Sequence, residues 1–108
     1  MTPQYQVTTT TPTEDEAIGL ARAAVERRHA ACAQVSGPIV SIYRWEGRVE
    51  TNDEWRCVFK TSAAALPQLT AFLRDAHSYE VPEIVSAVID DGDADYLRWI
   101  DTETATNP

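Results

Sequence analysis

The segment from residue 38 to residue 61 carries the strongest structural signal in this chain. The run "PIVSIYRW" is rich in β-branched and aromatic residues, and Glu46-Gly47 separates it from the longer run "RVETNDEWRCVFKT". Two such runs joined by a short glycine-containing connection are typical of a β-hairpin. In the second run, Trp55, Cys57 and Phe59 alternate with more polar neighbours, so we expect these three side chains on one face, against helices.

The segment before the hairpin predicts one strand followed by one helix. Tyr5, Val7 and Thr9 alternate with polar residues, which favours a strand with a polar second face. Thr13-Glu14-Asp15-Glu16 matches a capping box, so a helix is expected to begin there and to run to about His29. Its apolar face is predicted from helical spacing to consist of Ala17, Ile18, Ala21, Ala24 and Val25.

The segment after the hairpin predicts a second helix, a fourth strand and a short last helix. Pro67 fits only a first helical turn, so the second helix should run from about Ala64 to His77. Residues 83–90 favour a strand, and Asp93 is a candidate cap for the last helix. The expected apolar side chains are Leu66, Leu69, Phe72, Leu73 and Ala76 in the second helix and Tyr96, Leu97 and Ile100 in the last. Residues 102–108 are expected to fray.

This order, β-α-β-β-α-β plus a short C-terminal helix, predicts the α+β class and a ferredoxin-like split βαβ sandwich. We expect one domain over residues 1–108 with an ordered core at about 4–102. Two helices cover only one face of a four-stranded sheet. In a chain this small, an open face and a projecting hairpin favour self-association.

Charge and cysteine content restrict the partners and the compartment. The formal net charge is −8, with nine Lys and Arg against 17 Asp and Glu, which argues against nucleic acid and favours cations as partners. The chain has no apolar run near the length of a membrane helix, and its first residues do not resemble a secretion signal. Cys32 and Cys57 are expected to be small buried thiols, so the predicted location is the cytoplasm.

An ordered set of motifs resembles the CutA family of divalent-cation tolerance proteins. These motifs are "AACAQV", "SIYRWEGRVE", "VFKT", "HSYEVPEIV" and "DADYLRWI", and they span residues 31–100. The resemblance implies a ferredoxin-like subunit in a very stable homotrimer, similar in architecture to PII signal proteins. It also implies that the polar face of the first strand, with Gln6, Thr8 and Thr10, looks into a wet space between subunits.

The resemblance also bears on metal binding. Family members that bind copper are reported to use a cysteine at the end of the first strand and two adjacent histidines before the tyrosine. The matching positions here are Thr9, Ala76 and His77, so only His77 offers a copper ligand. The alternative is that His77, like His29, is a helix-end residue that bonds a carbonyl oxygen. Harder cations have candidate oxygen ligands in Glu80, Glu83, Asp90, Asp91, Asp93 and Asp95.

Two further sets of residues have alternative interpretations. Glu80 and Glu83 flank Pro82 and could form an acid/base pair, but the sequence shows no set of nucleophile and base and no cofactor motif, so we expect no enzyme. A second set matches positions that the family keeps, and it predicts either an intersubunit binding cleft or only an interface. Its members are Tyr43, Trp45, Glu54, Lys60, Tyr79, Glu83 and Trp99.

The function expected from the sequence is divalent-cation tolerance by a cytoplasmic homotrimer that binds its ligand, with copper as the candidate metal, and does not catalyse a reaction. A small-ligand sensor of PII-like design is one alternative. A structural interaction protein with an indirect effect on metal tolerance is another. A metal protein and a sensor would each gain stability from their own ligand by mass action, whereas a scaffold would respond to neither.

Overall fold

The computed structural model describes residues 2–106, which form one four-stranded antiparallel sheet and three helices. In chain order the elements are β1 (Gln4–Thr11), α1 (Glu14–Glu26), β2 (Cys32–Trp45), β3 (Arg48–Ser62), α2 (Leu66–Ala76), β4 (Val85–Ile89) and α3 (Ala94–Thr104). The sheet order is β2-β3-β1-β4, and each neighbouring pair is antiparallel. This confirms the predicted ferredoxin-like fold, in which β1 and β2 run parallel on either side of β3.

The hairpin of β2 and β3 is longer than its sequence pattern indicates. β2 begins at Cys32 instead of Pro38, because the two strands pair on both sides of an irregularity between Ser36 and Ile39. A Cβ atom at Gly37, within this irregularity, would lie 2.6 Å from Cδ1 of Trp55, so only glycine fits. The hairpin lengthens the molecule to 46 Å, and the radius of gyration is 14.5 Å, against about 13 Å for a compact chain of this length.

The main core lies between α1, α2 and one face of the sheet. Val7, Cys57 and Phe59 contribute fully buried side chains from the strands, and Leu69 and Leu73 contribute them from α2. The cysteine prediction is therefore right for Cys57, whereas Cys32 is only partly buried.

The apolar faces of both helices differ in part from the predicted ones. In α1 the buried residues are Ala17, Leu20, Ala21 and Ala24, while Ile18 and Val25 are 42% and 38% exposed. The buried set follows one narrow stripe of 3.6-residue period, and the two larger side chains lie at its margins. In α2, Ala76 is exposed because the helix ends there.

The predicted capping box of α1 forms only in part. Thr13 Oγ1 accepts a hydrogen bond from the Glu16 amide at 3.2 Å, as an N-cap should. The Glu16 carboxylate does not reach back to Thr13. It accepts hydrogen bonds from the Ser78 amide at 3.1 Å and the Ser78 hydroxyl at 2.7 Å. The start of α1 is thereby bonded to the segment that follows α2.

Helix α3 is longer than predicted and covers one end of the second face of the sheet. It continues to Thr104, which is buried and whose Oγ1 lies 2.8 Å from both the Ile100 carbonyl oxygen and the Ser62 hydroxyl. Gln4 donates a hydrogen bond to Asp101 at 3.0 Å. These tertiary contacts hold residues 102–104 in the helix, so the prediction of fraying was wrong there. Residues 107 and 108 lie outside the described residues.

The remainder of the second face is open in the single chain. Gln6 is exposed, Thr8 is partly buried and Thr10 is buried on this face. The outer edges of β2 and β4 have no neighbouring strand within the described part of the chain. Among residues 2–106, no helix has the length and apolar character needed to cross a membrane.

Candidate functional site

A cleft of about 530 Å³ lies along the hairpin, on the second face of the sheet and at the opposite end from α3. The side chains of Val7 in β1 and Cys57 in β3 point into the core. Thr10 and Glu54 lie three residues from them along the same strands. Because successive side chains of a strand alternate between its two faces, Thr10 and Glu54 lie on the second face of the sheet. We call this site the hairpin cleft. Its lining residues are Thr10, Ser41, Ile42, Tyr43, Trp45, Glu54, Tyr79, Glu80, Val81 and Glu83.

The structure brings together five of the seven side chains that the sequence suggested for a cleft or interface. These five are Tyr43, Trp45, Glu54, Tyr79 and Glu83. Lys60 and Trp99 lie elsewhere. Lys60 donates a hydrogen bond to Gln34 at 3.0 Å, and Trp99 packs on Tyr96 with ring centroids 5.4 Å apart.

Five lining residues were not predicted as cleft residues. Ser41 and Ile42 directly precede the predicted Tyr43 in β2. Their position next to a predicted cleft residue on the same strand could have indicated them from the sequence. Glu80 was predicted only as an oxygen ligand, and Val81 lies in the same loop. Thr10 carries no local signal, because only the pairing of β1 with β3 brings it opposite Arg56 and close to the hairpin.

A hydrogen bond between Tyr79 and Glu54 forms the polar centre of the cleft. The Tyr79 hydroxyl donates to Oε2 of Glu54 at 2.7 Å, and Glu54 is only 6% exposed although it carries a carboxylate. Burial, and then the hydrogen bond and charge of Glu54, raise the pKa of Tyr79 above its ordinary value. Within residues 2–106, no donor reaches the other carboxylate oxygen, Oε1 of Glu54.

His77 fixes the loop that carries Tyr79. The Tyr79 amide donates to Nδ1 of His77 at 3.1 Å, so Nδ1 is unprotonated and the ring proton is on Nε2. Nε2 lies 2.8 Å from the Thr10 carbonyl oxygen and donates to it. The His77 side chain is fully buried, and Glu16 Oε2 lies 3.7 Å from Nδ1. His77 therefore bonds a carbonyl oxygen, but one of β1 and not of its own helix.

The copper set implied by the family resemblance does not fit this chain. Both ring nitrogens of His77 already have hydrogen-bond partners. Ala76 has no ligand atom, and the buried hydroxyl of Thr9 has no hydrogen-bond partner and is a poor ligand for a soft metal. In the described part of the chain, no three His, Cys, Asp or Glu side chains gather closely enough to hold an ion.

The acidic turn before α3 has structural roles. Asp91 accepts a hydrogen bond from the Gly92 amide at 2.8 Å, and Asp93 caps α3 by accepting from the Tyr96 amide at 3.0 Å. Asp95 pairs with Arg98 on the same helix. Asp90 is exposed. Of the six candidate oxygen ligands, only Glu80 and Glu83 lie in the hairpin cleft.

His29 lies away from the cleft, just after α1. Its ring packs on Phe72 with centroids 5.6 Å apart, and its carbonyl oxygen accepts a hydrogen bond from the Thr61 hydroxyl at 2.7 Å. Burial, and then the nearby Arg27 charge, lower the pKa of His29. His29 therefore has a structural role, because it connects the end of α1 to α2 and β3.

The charges of the hairpin cleft favour the binding of a cation. Its lining includes three carboxylates, and no lysine, arginine or histidine of residues 2–106 belongs to it. A concave site lined by one sign of charge concentrates the opposite sign. The hydroxyls of Thr10 and Ser41 have no imidazole or amine in the lining to activate them.

Comparisons with known proteins agree with the fold and its motifs. A family model described as CutA1 divalent ion tolerance protein matches residues 5–103. Protein CutA of Mus musculus is 40% identical over 100 residues, which cover 91% of this chain and 56% of that protein. Divalent-cation tolerance protein CutA of Thermus thermophilus is 40% identical over 95 residues, which cover 88% of this chain and 92% of that protein. The chain spans about half the length of the mammalian relatives.

Solved structures give the same result. The divalent cation tolerance protein of Thermus thermophilus superposes with a TM-score of 0.91 at 38% identity, covering 94% of this chain and 99% of that one. CutA1 of Ehrlichia chaffeensis superposes with a TM-score of 0.92 at 26% identity, covering 98% and 99%. From the family match and these relatives together, the chain belongs to the CutA1 divalent ion tolerance protein family.

Proposed function

We propose that this chain supports divalent-cation tolerance as a homotrimer that binds its ligand and catalyses no reaction. The observation that carries the proposal is the hairpin cleft, in which three carboxylates lie on a lining without a cationic side chain among the described residues. The names of the relatives supply the biological context, since they describe tolerance of divalent cations. Each chain also has a net charge of −8, so the surrounding field attracts cations.

We propose that a divalent cation, with copper as the first to test, is held between chains. One chain does not bring three ligand side chains together among residues 2–106. Glu80 and Glu83 are exposed at the hairpin cleft and offer oxygen atoms to an ion that a neighbouring chain also contacts. Carboxylates bind divalent cations readily, and a site shared between chains would make metal binding depend on assembly.

Exposed apolar side chains support self-association. Val40 and Val49 on the hairpin are 67% and 63% exposed, and Val85 and Val88 on β4 are 56% and 57% exposed. The outer edges of β2 and β4 also offer backbone groups for pairing with another strand. Three copies arranged as in PII proteins would cover these surfaces, which is the assembly that the family resemblance implies.

The proposed location is the cytoplasm. Cys32 and Cys57 are both free thiols. Free thiols are common in reducing compartments and are usually oxidised outside them. Fractionation of cells that express the full chain tests this assignment, and recovery from an extracytoplasmic fraction would contradict it.

Native mass spectrometry tests assembly and metal binding together. We expect the metal-free protein to have the mass of three chains of 12.0 kDa. Added copper or zinc should bind as a fixed whole number of ions per trimer and should remain bound as ionic strength rises, because ligated ions are screened less than loosely attracted ones. A double variant, Glu80→Gln with Glu83→Gln, should lose these ions, whereas Glu14→Gln with Glu26→Gln, on exposed parts of α1, should keep them. Only diffuse, salt-sensitive adducts would contradict the proposed metal binding.

A further inference from the structure

The hairpin cleft is much larger than a site for a metal ion. Its volume is about 530 Å³, within the range of about 300–1,000 Å³ that is usual for small-molecule sites. Tyr43 and Trp45 contribute aromatic surface to its walls, and Ile42 and Val81 contribute aliphatic surface. A bare or hydrated ion would leave these walls in contact with water. Size and wall composition therefore favour a ligand with an apolar body.

Glu54 provides an anchor for the polar part of such a ligand. This residue is only 6% exposed, and Tyr79 occupies only one of its carboxylate oxygens. The second oxygen, Oε1, accepts no hydrogen bond from residues 2–106. Oε1 is not one of the fully buried unpaired atoms, so it faces the cleft and can accept an N–H donor from a ligand in place of water. Because His77 fixes the Tyr79 backbone, Tyr79 and Glu54 are held in place before the ligand arrives.

The charges around the cleft indicate the sign of the ligand. Glu80 and Glu83 add two exposed carboxylates to that of Glu54, and the described lining contains no cationic side chain. An anion would be repelled, and a neutral molecule would gain little from three carboxylates. Tyr43 and Trp45 favour the same sign, since the faces of aromatic rings attract cations.

We infer that the hairpin cleft binds an organic ammonium ion, whose N–H group bonds Glu54 and whose apolar body packs against Tyr43 and Trp45. This inference goes beyond divalent-cation tolerance. It shares with the proposed function only the assignment of the hairpin cleft as a binding site.

Isothermal titration of the full chain with a matched pair of small molecules tests the inference. The probes are 2-phenylethylammonium chloride and 2-phenylethanol, which share the ring and the chain and differ in the cationic head. We expect saturable binding of the ammonium probe, on the order of tenfold or more tighter than the alcohol, because hydrogen bonds to a charged group are the stronger ones. The preference should persist at physiological ionic strength, since the Glu54 anchor is buried.

Two variants of equal charge locate the binding. Glu54→Gln should weaken the ammonium probe by about tenfold and leave the alcohol unchanged. Glu46→Gln removes the same charge at the exposed hairpin turn, outside the cleft, and should leave both probes unchanged. Circular dichroism and native mass confirm that each variant keeps its fold and assembly. The comparison of the two probes on the unaltered protein does not depend on any variant.

Each outcome decides the inference. Equal affinities for the two probes, no binding of the ammonium probe, or full affinity in a folded Glu54→Gln variant would overturn it. A fixed number of copper ions without ammonium binding would overturn the inference and leave the proposed function intact. Ammonium binding without fixed metal uptake would support the inference and contradict the proposed metal binding.

Discussion

His77, Tyr79 and Glu54 connect three parts of the chain through buried and partly buried polar groups. His77 bonds the Thr10 carbonyl oxygen and the Tyr79 amide, and the Tyr79 hydroxyl bonds Glu54. Leaving any of these buried groups without a partner costs about 1–3 kcal/mol. At the scale of single residues, the stretch "HSYEVPEIV" therefore holds the loop after α2 against the sheet and gives the cleft its shape.

Replacing His77 separates this structural role from a role in metal binding. We expect His77→Ala to lower the free energy of unfolding by about 2–4 kcal/mol, because it removes two buried hydrogen bonds and leaves a cavity. Copper affinity should not change, since both ring nitrogens are already bonded. Denaturant unfolding at a fixed protein concentration and copper titration measure the two effects. His29→Ala, at a partly exposed histidine, is the control, and a selective loss of copper affinity in His77→Ala would restore His77 as a ligand.

Tyr79→Phe tests the bond to Glu54 with a minimal change of shape. Loss of the hydroxyl removes the donor to a carboxylate that is 6% exposed, and should lower the free energy of unfolding by about 1–3 kcal/mol. The matched control is Tyr43→Phe, whose hydroxyl bonds only the exposed Asn52, and it should change stability by less than about 0.5 kcal/mol. Equal effects in denaturant unfolding would show that the Tyr79 hydroxyl is not specially placed.

The raised pKa of Tyr79 predicts a loss of stability at alkaline pH. The unfolded tyrosine ionises near its ordinary pKa of about 10, whereas burial and Glu54 keep the folded one protonated at higher pH. Above that pH the unfolded chain binds fewer protons than the folded one, so this contribution is complete below about pH 10 and declines as the pH rises. Between about pH 8 and pH 11, the unaltered protein should lose more stability than Tyr79→Phe.

Cys57 and Tyr96 also have raised pKa values and should lower the stability at alkaline pH in the same way. Burial raises the pKa of Cys57 to about 12. The bond to Cys32, and then burial, raise the pKa of Tyr96 to about 12. Both groups are present in each protein, so their effects cancel in the comparison. If the two proteins lost stability equally, the altered titration of Tyr79 would be disproved.

At the scale of elements, the hairpin depends on its two-residue turn. Glu46 and Gly47 have φ angles of 50° and 80°, the left-handed pair that matches the twist of a two-residue hairpin. This turn fixes the register from Trp45 opposite Arg48 down to Ile39 opposite Glu54. The register in turn brings Tyr43, Trp45 and Glu54 to the same cleft.

Two glycine-to-alanine substitutions, one in the hairpin turn and one in α1, test the backbone requirement of the turn. Gly47→Ala should destabilise the protein by about 1–2 kcal/mol, because an L-residue is strained at positive φ although no atom lies within 4 Å of the added Cβ. Gly19→Ala, in an exposed interior position of α1 with equally open space, should stabilise it by about 0.5–1 kcal/mol. Denaturant unfolding of both variants checks the opposite signs, and a shared sign would contradict the backbone argument.

At the scale of the whole molecule, the shape and the exposed apolar surface bear on the proposed assembly. The single chain extends 46 Å in its longest dimension and has two open sheet edges within the described residues. Val85 and Val88 lie on β4, which is paired only with β1 in that part of the chain. A partner strand or sheet on this side would bury them.

Charged residues on β4 should prevent the assembly without unfolding the chain. We expect a double variant, Val85→Lys with Val88→Lys, to lose the proposed trimer, because lysines on an edge strand oppose pairing with another strand. The control pair, Ile18→Lys with Val25→Lys, alters residues of similar character on α1 that are 42% and 38% exposed, and should stay trimeric. Native mass and circular dichroism report the two properties. A trimer that survives the β4 change would move the interface away from this strand.

The sequence by itself determined the order of strands and helices, the hairpin turn and the core positions in β3. These follow from local periodicity and turn chemistry, which depend on neighbours within a few residues. Only the tertiary structure decided that β2 extends back to Cys32, that α3 continues to Thr104, and that Lys60 and Trp99 lie away from the cleft. Each of these depends on strand register or on a contact between residues far apart in sequence, such as Thr104 with Ser62. Such contacts form only when the chain has folded, because local patterns do not specify which distant side chains meet.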